Sequence, residues 1–373
     1  MIVTCPRSTL LSAFQIVGAA VPARTTIPVY QNIKAVADGE KLTLMATDLE
    51  VGIRFDLRGG GDNNLHISEP GSAILPAARL TNILRESSDT SVKLDSDERR
   101  TRIQTSTSEY EMPGEDPATF TDIADFSGET YHEMAAGDLQ RMIRRTVFAA
   151  AKDEGKYAMR GVLWDLEEKK ARLVATDGKR LAINSGPCVA QGEVKTHSTL
   201  LPPKAMSLLE RILADGDAAQ PVQISLRTND ALFRTEKAVI YSRLVEGRFP
   251  PYRDVMPKKF NVKVPLVVGE FLSAVRQAAI MTDDESKRII FSFSAGKVTL
   301  KAQGSTTGKS LVTLALADFS GPAIEISFDP AYLTEMLRVL DGSDALQLDM
   351  VDGSKSAVFR QGDDYVHLIV PLV

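Results

Sequence analysis

The strongest constraint on this chain is that it repeats itself three times, at a spacing of about 127 residues. Three helix-like segments carry the clearest copy: Ile74–Glu86 (ILPAARLTNILRE), Leu201–Leu213 (LPPKAMSLLERIL) and Phe328–Leu340 (FDPAYLTEMLRVL). Leu80, Met206 and Leu333 align, as do Ile83, Leu209 and Met336. Strand-like segments repeat too: Leu42–Asp48 (LTLMATD), Ala171–Asp177 (ARLVATD) and Val298–Gly304 (VTLKAQG), with Ala46, Ala175 and Ala302 in register. A solenoid unit is far shorter than this. The period is that of a whole domain, so the chain reads as one fold used three times.

Proline-rich polar stretches mark the boundaries, Met112–Asp125 (MPGEDPATFTDIAD) and Gly247–Lys259 (GRFPPYRDVMPKK). They align with each other, Phe120-Thr121-Asp122-Ile123 against Tyr252-Arg253-Asp254-Val255. The expected domains are 1–126, 127–256 and 257–373. Each third has a first helix near its start (Arg7–Ala19, Ala136–Lys152, Gly269–Met281) and the repeated segment as its second. Pro76 and Pro202 fit a first helical turn, and Asp329 fits a cap before Pro330. Between the helices lie short alternating strands with turns such as Asp38-Gly39, Asp177-Gly178 and Asp352-Gly353. The fold class is α+β: three similar domains, each with two helices on one face of antiparallel sheets.

Composition narrows the function. No apolar run approaches the ~20 residues that span a bilayer, so no membrane partner is expected. The N-terminal MIVTCPRSTLL lacks a basic region followed by a long apolar stretch, so no signal peptide is expected. Cys5 and Cys188 lie in different thirds, which suits a reducing compartment. The histidines and cysteines have no metal-ligand spacing, so neither metal nor cofactor is expected. Gly304–Ser310 (GSTTGKS) has one residue too few between its glycines for a phosphate-binding loop, and a strand-like segment follows it. It reads as a hairpin turn. Asp48 and Asp177 occupy equivalent places in different domains, which fits turn residues better than a catalytic pair. The net charge of −5 argues against a simple basic nucleic-acid binder. The helical segments nevertheless carry a net positive charge, with Arg141, Arg144 and Arg145 off the apolar stripe of Leu139, Met142, Ile143 and Val147. They are either ordinary solvated faces or a surface for a polyanion.

Two segments go further: Val174–Ala182 (VATDGKRLA) and Leu244–Pro257 (LVEGRFPPYRDVMP). With Thr47-Asp48-Leu49-Glu50 and the apolar terminus Tyr365–Val373 (YVHLIVPLV), they closely resemble the bacterial DNA polymerase III beta subunit family, the replicative sliding clamps. The resemblance covers the whole chain. It implies the DNA clamp fold and a head-to-tail homodimer closed into a ring around duplex DNA, with helices towards the hole. It implies a processivity factor without catalysis of its own, in the cytoplasm and associated with the nucleoid. The implied partners are the DNA polymerase III alpha subunit, the clamp loader and other proteins carrying clamp-binding motifs. The alternative is a repeat-built peptide-binding scaffold that never encircles DNA.

The family's hydrophobic peptide cleft, carried over by motif, comprises Met159, Thr176, Gly178, Lys179, Arg180, Leu181, Pro250, Val255, Ser356, Leu368, Val370, Pro371 and Leu372. Its walls accept leucine and phenylalanine anchors, and Arg180 with backbone groups is expected to hold the peptide. Lys179 stands where the family often has histidine, and Asp254 where it has a basic residue. The chain ends in Pro-Leu-Val. For DNA, the family match points to Arg24, Lys156 and Tyr157. Helix position alone adds Arg79, Arg85, Arg141, Arg145, Lys204, Arg211, Lys287, Arg288 and Arg338.

Overall fold

A computed structural model describes residues 1–59, 64–128, 130–152, 157–192, 197–214, 216–283 and 287–372. Among the described residues the α-helices are α1 (Arg7–Val17), α2 (Ala77–Glu86), α3 (Ala136–Arg144), α4 (Pro203–Ala214), α5 (Val268–Ala279) and α6 (Pro330–Leu337), two to each repeat. The repeated segments prove to be strand-then-helix junctions. Ile74, Leu75 and Pro76 finish the strand Gly71–Pro76, and Phe328 ends Ile324–Phe328, before α2 and α6 begin. Pro76 therefore precedes α2 rather than entering it. Asp329 caps α6 as expected, its carboxylate accepting from the Ala331 N–H at 2.8 Å. The helix expected over Ala136–Lys152 stops at Arg144. The β-branched Thr146 closes it, its hydroxyl donating back to the Met142 carbonyl at 2.8 Å, and a short 3₁₀ turn, Val147–Ala149, follows.

The chain divides into two compact units, and the division passes through the middle repeat. The first unit holds a five-stranded and a nine-stranded antiparallel sheet. In the nine-stranded sheet Ala238–Arg243 of the middle repeat pairs with Val51–Arg58 of the first. The second unit holds a four-stranded and an eight-stranded sheet. In the eight-stranded sheet Arg180–Pro187 of the middle repeat pairs with Tyr365–Ile369 of the last. Each long sheet is thus shared between two repeats. In the second unit, one face of the sheet joins α5 and α6 in a core containing Phe271, Phe291, Phe328, Leu333, Phe359, Tyr365 and Ile369. Gly304 pairs with Gly308, so the GSTTGKS segment is the hairpin turn between Gly296–Gly304 and Gly308–Leu316.

One turn recurs in matching detail. Thr176 Oγ1 donates to the Arg180 carbonyl at 2.6 Å, and Asp177 Oδ1 accepts from the N–H of Lys179 and Arg180 at 2.9 and 3.0 Å. In the first repeat Thr47 Oγ1 donates to the Val51 carbonyl at 3.0 Å, and Asp48 Oδ1 accepts from Glu50 and Val51 at 3.0 and 2.7 Å. The turn needs a left-handed residue after the aspartate: Gly178 at φ 89° and Leu49 at φ 75°. Leucine there costs about 1–2 kcal/mol relative to an unstrained residue. Gly178→Leu should therefore lower the melting temperature, and Leu49→Gly should leave it unchanged or raise it, in a thermal unfolding series. Equal responses at the two positions would show that the two turns are not strained alike.

Candidate functional site

The eight-stranded sheet is apolar on both faces. Side chains alternate along a strand, and the register sets Leu181 opposite Leu368 and Ala182 opposite His367. Leu181, Ile183, Val366 and Leu368 thus share one face, and Ala182, Asn184, Tyr365 and His367 the other. The first face forms a cluster with Leu163, Val174 and Val358. Its cover is the proline-rich segment after residue 244, through Val245, Phe249, Tyr252, Met256 and Phe260. Burying a side chain such as Leu368 here contributes ~1.5–3 kcal/mol. The cover is incomplete. Val255 is 57% exposed, Val370 42% and Leu372 37%. The C-terminal residues are held in place by the Val370 N–H donating to the Lys179 carbonyl and the Leu372 N–H to the Ser327 carbonyl, both at 2.9 Å.

The peptide-cleft residues expected from sequence all fall in this second unit. Gly178 and Lys179 are exposed, Met159, Pro250 and Ser356 are half-buried, and Thr176, Leu181, Leu368 and Pro371 are buried. Arg180 departs from expectation. It is 5% exposed, and its guanidinium is committed inside the protein. Nε donates to Asp177 Oδ2 at 3.1 Å, Nη1 to Glu335, and Nη2 to the Phe148 carbonyl at 2.7 Å. The guanidinium also lies over the rings of Tyr332 and Phe148, 4.8 and 5.3 Å from their centroids. With three of its five N–H donors engaged inside the protein, the side chain positions the Asp177–Arg180 turn. Glu335, Tyr332 and Phe148 were missed from sequence because they lie on other elements, and a motif does not name its buried partners. Tyr252, by contrast, was signalled by the GRFPPY spacing.

The helix cations fall into several groups. In the first unit Arg79, Arg85 and Arg211 line one groove of about 850 Å³ with Gln15, Asn82 and Ala23. The neighbouring Arg24 is exposed. Lys204 instead forms an ion pair with Asp48, so part of its charge is neutralised. In the second unit Arg141 and Arg338 are exposed. Lys287 is exposed, and Arg288 donates to Ser327 Oγ at 3.0 Å. Arg145 does not join an exposed face: it is half-buried, with its guanidinium 5.5 Å from the Tyr365 ring centroid. Burial, and then the charge of Arg141, hold its pKa below the ordinary arginine value. Tyr157 lies in the 3₁₀ turn Tyr157–Arg160, and Lys156 lies outside the described residues.

Such an arrangement is that of a binding protein, with a partly open apolar surface on a sheet shared between repeats and scattered helix cations. The profiles of the N-terminal, central and C-terminal domains of the DNA polymerase III beta subunit match residues 1–123, 133–251 and 253–372. Curated beta sliding clamps from Pseudomonas putida and Staphylococcus aureus are 28% and 27% identical; they align over 99% of both chains and over 95% of this chain and 94% of theirs. The crystal structure of the sliding clamp from Bacillus subtilis superposes with a TM-score of 0.92 at 25% identity, covering 100% of this chain and 99% of that one. The Pseudomonas aeruginosa beta subunit gives 0.87 at 25% identity over 100% of both chains. The chain belongs to the DNA polymerase III beta subunit family. Its function is that of a DNA sliding clamp, a processivity factor without catalysis of its own.

On the helix-facing side of the same strands, His367 is fully buried, 5.6 Å from the Phe148 ring and stacked on Tyr365. Neither ring nitrogen has a hydrogen-bond partner among the described residues. Burial, and then the nearby Arg180 charge, push its pKa from 6.5 down to about 3. The folded protein therefore holds this ring neutral, while the unfolded chain protonates it near 6.5. The stability His367 contributes is complete above that pH. It declines as pH falls towards 3, by about 1.4 kcal/mol per pH unit. Thermal unfolding from neutral pH to about pH 4.5 should show His367→Phe losing less stability than the parent. Parallel pH profiles for the two would exclude this histidine as a source of acid sensitivity.

Proposed function

We propose that two copies of this chain, each made of domains 1–126, 127–256 and 257–373, close head to tail around duplex DNA. The observation that carries this is two sheet edges, one in the first repeat and one in the last, that have no strand partner on one side among the described residues. The five-stranded sheet ends on Glu109–Pro113, and the four-stranded sheet on Gly308–Leu316. An uncovered edge invites pairing. The first edge bears Glu109, Glu111 and the exposed Tyr110; the second bears exposed Lys309 and Leu311, the latter 67% exposed. Ile280, 70% exposed, ends α5 beside the second edge, where Ser310 Oγ donates to the Ala278 carbonyl at 2.9 Å. Glu109 and Glu111 already pair with Arg102, at 2.9 and 3.1 Å, so the exposed apolar residues on the two different edges lead in a heterologous contact, which closes into a ring or runs on as a filament. The family favours the ring.

Within the ring the helix cations act as weak phosphate contacts, supplying affinity without sequence. Arg24, Arg79, Arg85, Arg141, Arg211 and Arg338 are the best presented, Lys287 and Arg288 add to them, Lys204 is attenuated, and Lys156 and Tyr157 are kept on the family's motif alone. The cleft at Leu181, Leu368, Val370 and Leu372 takes short peptides from the DNA polymerase III alpha subunit, the clamp loader and other clamp-binding proteins, in the cytoplasm. Its apolar floor with a backbone-rich rim suits an extended peptide anchored by leucine or phenylalanine. A scaffold that never encircles DNA lacks a use for both complementary edges.

The double variant Ile280→Glu with Leu311→Glu should sediment as a monomer and fail to remain on circular DNA after loading. The parent should stay on circular DNA and run off linear DNA. A variant that is still dimeric would move the interface elsewhere, and equal retention of the parent on both DNAs would end the topological mechanism. Reversing Arg79 and Arg211 together to glutamate should make the log–log salt dependence of DNA affinity shallower by roughly 2, one for each phosphate that is no longer neutralised. An unchanged slope would place these arginines away from DNA.

A further inference from the structure

The cleft has a counterpart in the first unit. Thr47 pairs with Gly52 just as Thr176 pairs with Leu181. Gly52 lies opposite Tyr241 as Leu181 lies opposite Leu368. The Arg243 N–H donates to the Glu50 carbonyl at 2.8 Å, matching the 2.9 Å bond from Val370 to Lys179. The covering segments correspond as well. Phe120 packs with Met45 and Tyr30 where Tyr252 packs with Val174 and Leu163. The same sheet, the same turn and the same cover are thus built twice.

The two versions differ at one contact. Val255 in the second unit is 57% exposed, whereas its counterpart Ile123 is 6% exposed. A Cβ placed on Gly52 would lie 3.1 Å from Ile123 Cδ1 and 3.2 Å from its Cγ1. The isoleucine therefore stands in the space that a leucine at position 52 would need. Arg243 and Glu50 close the rim above it with an ion pair at 3.3 Å. Where the second unit leaves an aliphatic-lined opening, the first fills it from its own chain.

We propose that Ile123 is a built-in occupant of a second, latent peptide pocket, and that the Gly52–Ile123 contact limits each chain to one open cleft. This rests on the reading of the Leu181–Leu368 cleft as the peptide site. The latent pocket has the size and chemistry for one branched aliphatic side chain, which Ile123 supplies in cis. A single cleft per chain makes the partner proteins compete for one position and exchange there. Position 123 is then a specificity-determining residue that touches no partner.

The test is calorimetric titration of the full-length protein with a synthetic peptide bearing leucine and phenylalanine anchors. The parent should bind one peptide per chain, and Val370→Asp with Leu372→Asp should weaken that site tenfold or more. Two variants open the latent pocket by removing the side chain that fills it, Ile123→Ala and Ile123→Gly. Each should bind two peptides per chain, the added one indifferent to aspartates at 370 and 372. Native-like melting with one peptide per chain in both variants would overturn the proposal. A parent that binds none would overturn the cleft reading first, and this proposal with it.

Discussion

The rest of this structure depends on strand pairing between repeats. A half-repeat offers a short sheet with one face for helices and an edge that needs a partner. Pairing Arg180–Pro187 with Tyr365–Ile369, and Val51–Arg58 with Ala238–Arg243, removes both edges at once. The consequence is a long sheet with apolar residues on both faces. Helices bury one face, and nothing in the repeat itself buries the other. The proline-rich segments that join the repeats supply the missing cover, through Phe120 and Ile123 in one unit and Phe249, Tyr252 and Met256 in the other. The proposed peptide cleft is the part of that second face that the connecting segment leaves uncovered.

Arg180 links the two faces of the second sheet. Its strand position belongs to the helix side, while the turn it steadies forms the rim of the proposed cleft. An arginine this buried is tolerated because Asp177, Glu335 and the Phe148 carbonyl engage three of its five N–H donors, two of them as ion pairs, and two aromatic rings flank its plane. The early end of α3 makes this possible. Had the helix run on to Lys152, the Phe148 carbonyl would be spent within it. Removing one partner from such a buried set costs about 3–5 kcal/mol, so the arginine is fixed by structure before any ligand arrives.

The threefold repeat, the α+β class and the cap at Asp329 were legible because they rest on local pattern: spacing, turn residues and proline placement. The Asp48 and Asp177 turns were legible for the same reason. The sharing of each long sheet between repeats was not, since pairing of Leu181 with Leu368 is set by residues almost two hundred positions apart. Nor was the burial of Arg145 and Arg180. A helical wheel sorts charges onto a face, but Arg145 follows the end of α3, where the wheel no longer applies, and Tyr365 draws it inward. The cleft residues became legible only through the family's motif, because Leu368 and Val370 read locally as ordinary core.

The distribution of cations bears on sliding as well as on binding. Attraction to phosphate grows with the number of counterions released, and many strong contacts would fix a duplex in one place. Here the strength is held down in two ways. Lys204 is paired with Asp48, and Arg145 is turned towards Tyr365. What remains is sparse: Arg79, Arg85 and Arg211 around one groove, with Arg24 nearby and Arg141 and Arg338 on other helices. The overall charge of −5 repels DNA from the rest of the surface. A chain that was simply basic would bind DNA tightly from outside. An acidic chain with a few helix cations gains little from DNA by charge alone, so the proposed closure around the duplex, more than affinity for it, would hold the two together.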